Sequence, residues 1–206
     1  MDASFDSMNT IQFDVLQELG NIGAGNATTA LSQMMGDEKI DMRVPKVELL
    51  LFKELAEIVG GAETLVVGIF LSLEGQINGS MLFMIEIDAA HYLVDSMLSQ
   101  KSDPASADFT EMELSALKEV GNIIGGAYLS SISTLTNMLI TSSIPYMTID
   151  MAGAILSVPA IEFGKVGDKA LLIESRFYVD DQAISGYFIL IPTMESYSKI
   201  MASLGL

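Results

Sequence analysis

The chain has 206 residues, half of them hydrophobic and only 18% charged, a composition that builds a buried core and excludes a disordered chain. It contains no cysteine, which excludes a disulfide framework, a thiolate zinc site and a cysteine nucleophile, and fits a reducing, cytoplasmic setting. With 27 acidic against 10 basic residues the net charge is -17, which excludes nucleic acid as a partner and disfavours an anionic membrane surface.

In chain order, the opening MDASFDSMNT lacks the basic start and apolar run of a signal peptide. The first predicted element is a helix. Asn9 with Gln12 three residues on gives a start signal, and Val15, Leu19 and Ile22 recur at helical spacing toward the core. Asp14, Glu18 and Asn21 then form a separate polar stripe, because residues three and four apart are neighbours on a helix surface. A strand at Leu65 to Leu73 reaches a turn at Glu74-Gly75-Gln76, returns as Ile77 to Ile87, and is followed by a helix at about Asp88 to Ser99. Gln100 to Asp108, rich in Ser, Asp, Pro and Ala, reads as a connection.

A second helix starts at Thr110, where Glu113 completes a better capping box, and runs through Ala116, Val120 and Ile123. From Val120 to Ile149 there is no charged residue, a stretch long enough to span a bilayer. Nine Ser or Thr, two Asn and Pro145 make it too polar for a lipid-facing helix, so it reads as a buried helix followed by a loop. Ile149 to Ile155 reads as a strand end or short helix. A second hairpin follows, Ala170 to Val179 and Ala183 to Ile191 around Asp180-Asp181-Gln182, with a last helix from Thr193.

The two halves are copies. DVLQELGNIGAG at Asp14 to Gly25 reappears as SALKEVGNIIGG at Ser115 to Gly126, with Glu18 and Glu119, Gly20 and Gly121, and Asn21 and Asn122 each 101 positions apart. Both returning strands also carry Ile-x-Gly, at Ile77 to Gly79 and Ile184 to Gly186. The expected fold is α+β: one domain, residues 1–206, with pseudo-twofold helix–strand–strand–helix repeats at about 1–100 and 109–206 and a linker at 101–108. The repeats would share a mainly antiparallel sheet and carry two long motif-bearing helices.

One Glu-x-x-Asn is a weak signal on a solvated helix. Two in register, between halves that have otherwise diverged, point to function. Glycines add to this: Gly20, Gly23 and Gly25, and Gly121, Gly125 and Gly126, lie inside predicted helices, each costing roughly 1 kcal/mol against alanine. Either a neighbouring element packs very close or a partner surface must approach.

The pattern Asp/Ser-x-x-x-Glu-x-x-Asn at Asp14-Glu18-Asn21 and Ser115-Glu119-Asn122 resembles the signature of the CheC family of chemotaxis phosphatases, which includes CheX and FliY. Pro145 has the family's spacing after its Asn, and Pro45 lies one residue late, which suggests an insertion near Gly36 to Glu38. The resemblance covers the whole chain. It implies hydrolysis of the aspartyl phosphate on a CheY-like response regulator. Asn21 and Asn122 would orient the attacking water, and Glu18 and Glu119 would pair with the regulator's Lys. Asp14 and Ser115 would set or extend the same face. No cofactor of the protein's own is implied; Mg²⁺ would come with the bound regulator.

The resemblance also implies that Ile149 to Ile155 binds the receptor deamidase CheD, with Asp150 as polar contact and Met151 and Ile155 as apolar anchors. Two alternatives stand beside the phosphatase: a regulator that mainly binds CheD, and a non-catalytic scaffold like the flagellar switch proteins, which lack the Glu and Asn pairs. His91, the one histidine, has no second His or Cys to share a metal and is read as structural. Gly23-Ala24-Gly25 follows no strand, so it is neither a dinucleotide fingerprint nor a P-loop. A cytoplasmic monomer is expected.

Overall fold

The computed structural model describes residues 10–35, 40–101, 106, 108–163, 169–179 and 182–206. Two long helices carry the duplicated segments, α1 (Thr10–Met34) and α4 (Glu111–Thr136). Between them lie β1 (Ile40–Leu51), α2 (Phe52–Ile58), β2 (Leu65–Gly75), β3 (Gly79–Glu86) and α3 (Ile87–Leu98). After α4 come β4 (Ile140–Ser142), β5 (Tyr146–Met151), α5 (Ala152–Phe163), β6 (Lys169–Val179), β7 (Gln182–Pro192) and α6 (Met194–Ser203).

The strands form one antiparallel sheet, ordered β1-β6-β7-β3-β2-β4, with β5 continuing the β4 edge along β2. Its centre is the β3–β7 pair, where Leu82 faces Ile189 and Phe83 faces Phe188. Strand alternation sorts side chains to two faces. Val67, Ile69, Leu71, Met81, Phe83, Ile173 and Phe188 join the core under α1, α3, α4 and α6. Val66, Leu82, Met84, Leu172 and Ile189 join a second core under α2 and α5. The result is a helix–sheet–helix sandwich.

The repeats are interleaved. β1, from the first repeat, pairs with β6 of the second, while β4 and β5, from the second, pair with β2 of the first. The long helices follow their strands: Gly20 of α1 lies over Val44 of β1 and Ile173 of β6, and Gly121 of α4 lies over Ile69 of β2. Each motif helix is therefore seated partly on the other repeat's hairpin.

The two prolines of the signature mark equivalent breaks. Residue 45 sits in the register irregularity between Arg43 and Lys46 of β1, and Pro145 separates β4 from β5. Proline has no N–H to give a ladder, and both breaks fall on edge strands, where that omission is tolerated. The segment after α4 is thus an interrupted edge strand, not the loop expected from its Ser and Thr content. An edge strand borders solvent, so its polarity is no bar to pairing.

Local signals explain the ends of α4. Thr110 N–H donates to Glu113 Oε2 at 2.6 Å and Glu113 N–H donates to Thr110 Oγ1 at 3.3 Å, closing the capping box. Gln100 adds an amide bond to Glu113 Oε1 at 2.7 Å, which ties the connection between repeats to the helix start. His91 serves the same join: its Nε2 lies 2.8 Å from the Ser106 carbonyl, which only accepts, and its ring stacks on Phe109 at 4.0 Å. The Asn9 cap, the insertion at Gly36 to Glu38 and the Asp180-Asp181 turn lie outside the described residues.

Candidate functional site

The face that each motif helix buries is set by where small residues let it come close. In α1 the buried positions are Leu16, Leu19, Gly20, Gly23, Ala24, Ala27 and Leu31. A Cβ on Gly23 would stand 2.5 Å from the Tyr128 ring of α4, so that glycine permits the two long helices to touch. In α4, a Cβ on Gly121 would meet Ile69 at 2.7 Å and one on Gly125 would meet Leu71 at 2.9 Å. This rotates the core stripe from the one expected: Leu19 and Val120 are buried, but Val15, Ile22, Ala116 and Ile123 are only half-buried flanks.

The opposite face is solvent. Asp14, Glu18 and Asn21 are all exposed, and so are Ser115, Glu119 and Asn122. Among the described residues no hydrogen bond or ion pair engages the side chains of Glu18, Asn21, Glu119 or Asn122. The fold therefore holds each carboxylate and amide one turn apart on a rigid helix and asks nothing of them. Rigidity comes from below. Gln17, beside Glu18, donates its amide to the Val44 carbonyl at 2.8 Å. Tyr128 sits between Gly23 and the sheet, its ring stacked on Phe188 at 4.1 Å and its hydroxyl 3.0 Å from that of Ser175. Burial pushes the Tyr128 phenol up to about 12, keeping it neutral.

Both stripes extend beyond the residues expected from sequence. Ile11 is 63% exposed and Met112 is 67% exposed, large apolar side chains at the same repeat position and on the same face as Glu18 and Glu119. Gly25 and Gly126 are exposed at the other end. The 101-residue offset that matched Glu18 to Glu119 also matches these pairs and was the signal available to find them. The stripes differ in charge: α1 presents Asp14 and Glu18, whereas α4 presents Ser115 and Glu119 with Lys118 next to it.

The segment after β5 divides. Asp150 is exposed at the sheet edge, where one carboxylate oxygen accepts from the Met151 N–H at 2.8 Å, and Met151 is 47% exposed. Ile155, expected as a third partner contact, is 2% exposed; it packs over Gly68 in the second core and lines the groove beside Asp150 from below. Beside Asp150 runs a groove of about 350 Å³ lined by Tyr146, Thr148, Asp150, Ala154, Val158 and Pro159 among others. Among the described residues, no group of three or more His, Asp or Glu is placed to hold a metal ion, and no helix is long and apolar enough to cross a membrane.

A sequence model described as the CheC-like family matches residues 11–49 and 112–143, which hold the two motif helices and the edge strands β1 and β4. The chain is 34% identical to the CheY-P phosphatase CheC of Bacillus subtilis over 204 residues, 98% of this chain and 97% of that one. In three dimensions it is similar to Thermotoga maritima FliY, with a TM-score of 0.76, 21% identity, and coverage of 96% of this chain and 98% of that one. FliM in the Helicobacter pylori FliM–SpeE complex matches with a TM-score of 0.71 at 13% identity, covering 97% of both chains. The CheX–CheY–BeF3–Mg²⁺ complex of Borrelia burgdorferi matches at 0.51 and 21% identity, over 82% of this chain and 95% of that one. At these identities the structural likenesses concern the fold.

Proposed function

The chain belongs to the CheC-like family, and from that premise we propose that it hydrolyses the aspartyl phosphate of a CheY-like response regulator. What carries the reading is the pair of exposed stripes: a Glu and an Asn one turn apart, twice, on well-seated helices, with no hydrogen-bond or ion-pair partner among the described residues. The Bacillus subtilis relative, at 34% identity over nearly all of both chains, is a CheY-P phosphatase.

In this reading the protein completes an active site that the regulator mostly supplies. The regulator brings the phosphoaspartate, its Mg²⁺ and its Lys; this chain contributes no cofactor. Glu18 or Glu119 pairs with that Lys and sets the docking register. Asn21 or Asn122 holds a water in line with the phosphorus. Oxygen attack forms the new P–O bond, the bond to the aspartyl oxygen breaks, and the products are a free carboxylate and dihydrogen phosphate, which takes both of the water's protons and releases one to solvent near neutral pH. An amide is sufficient because phosphoryl transfer rests on positioning and electrostatics, with a loose transition state that asks little of a base. Asp14 and Ser115 extend the contact, and a monomer suffices, since one chain contains both sites.

The test is the decay of a phosphorylated CheY-like regulator in Mg²⁺ with catalytic amounts of this protein. Acceleration is expected, and the double substitution Asn21→Ala, Asn122→Ala is expected to reduce it by about 10²-fold or more at unchanged Tm. Wild-type protein that folds and leaves the decay rate unaltered would overturn the proposal. The FliM likeness alone would suit a non-catalytic scaffold, but both Glu and Asn pairs persist here. We infer a second interaction, with CheD, from exposed Asp150 on the wall of an apolar groove at the β5 edge of the sheet, with exposed Met151 next to it in sequence.

A further inference from the structure

Six glycines stand in the motif helices, and four have a reason within the chain. Gly20, Gly23, Gly121 and Gly125 each face a side chain that a Cβ would crowd to between 2.5 and 3.2 Å. Gly25 and Gly126 have none: an added Cβ would meet nothing within 4 Å at either position. Backbone conformation does not require them either, because neither has a positive φ. Both are inside regular helix and exposed, where glycine is the least favourable residue after proline. Each lies four residues beyond the Asn of its stripe, one turn along the same face. Two exposed helical glycines without a packing role, at equivalent positions, are what remains when something outside the chain must come close to the backbone.

We propose that Gly25 and Gly126 are the clearance over which the response regulator docks: the bare helix there lets its surface approach closely enough for Asn21 or Asn122 to reach the phosphorus. This rests on the phosphatase reading and adds a specificity-determining position to each site. A side chain at either glycine would hold the regulator off by the width of a methyl group or more. Misplacement of about 1 Å at a reacting centre is enough to cost about 10²-fold in rate.

The glycine substitutions separate this role from a structural one by sign. Gly25→Ala with Gly126→Ala is expected to raise Tm, by about 2–4 °C per site, because alanine is the better helix former and no neighbour is crowded. The same protein is expected to lose phosphatase activity, and Gly25→Leu with Gly126→Leu to lose at least about tenfold in kcat/KM, through both a raised KM and a lowered kcat. Affinity for a regulator activated with beryllofluoride and Mg²⁺, measured by titration, is expected to fall in parallel. A lowered Tm for the alanine variant, or wild-type affinity in the leucine variant, would overturn the inference. If wild-type protein binds the activated regulator without accelerating decay, and the leucine variant loses that binding, clearance stands while the catalytic reading falls. If wild-type protein neither binds nor accelerates, both fall.

Discussion

Gly23 and Gly25 are two positions apart on one helix and answer to different neighbours. A Cβ at Gly23 would lie 2.5 Å from the Tyr128 ring, which is held by its stack on Phe188 and its contact with Ser175. Gly23→Ala is therefore expected to destabilise the protein by about 1–3 kcal/mol through overpacking, outweighing the roughly 1 kcal/mol gained in helix propensity. Urea unfolding would record this as a lower midpoint at unchanged slope, and a midpoint at or above wild type would mean that the ring yields. An excess of helical glycine was legible in the sequence. Which glycines face a ring, a sheet or open solvent was not, since that depends on residues about a hundred positions away.

At the scale of elements, the sequence carries the period of the motif helices but not the phase of their buried face. Val15 and Ile22 outrank Gly20, Gly23 and Ala24 on any scale of apolarity, yet the small residues are the buried ones. Close approach of a second helix rewards absence of side chain, a condition that single-residue hydrophobicity does not contain. The polar stripe was found nevertheless, because Glu and Asn declare themselves. The edge strands were harder: β4 and β5 are polar and broken at Pro145, and their partner β2 belongs to the other repeat.

That edge sets a prediction of its own. Asp150 accepts the Met151 N–H where β5 gives way to α5, and it borders the groove proposed for CheD. Asp150→Ala is expected to weaken capture of CheD by about tenfold, as for other exposed polar anchors, and to leave phosphatase activity unchanged. Undiminished capture in a pull-down with purified CheD would remove this surface from consideration. Ile155→Ala would mix two effects, because that residue both lines the groove and belongs to the core.

The whole molecule is a pair of repeats that cannot be separated without breaking the sheet. Cutting in the linker would take β1 from β6 and β5 from β2, and would lift each motif helix from half of its seat. Residues 1–100 and 109–206, expressed apart, are therefore expected to lack a cooperative thermal transition as monomers. Expressed together they are expected to give one transition and to regain activity toward the phosphorylated regulator. A single repeat that melts cooperatively as a monomer would show that interleaving is not what stabilises the fold. The same arrangement gives the two sites a fixed mutual geometry, since α1 and α4 touch at Gly23 and Tyr128.

By itself the sequence determined the repeated segment, the α+β class, the two helices and the polar stripe that each exposes. Those are local quantities: helix periodicity, a capping box, and a spacing repeated at an offset of 101. Only the tertiary structure decided that the repeats exchange strands, that Ile155 is buried while Asp150 is not, and that Gly25 and Gly126 alone among the motif glycines have nothing above them. Each of these depends on which distant residue arrives next to a given position, and pairing across the sheet and between helices is a property of the packed chain, not of any segment of it.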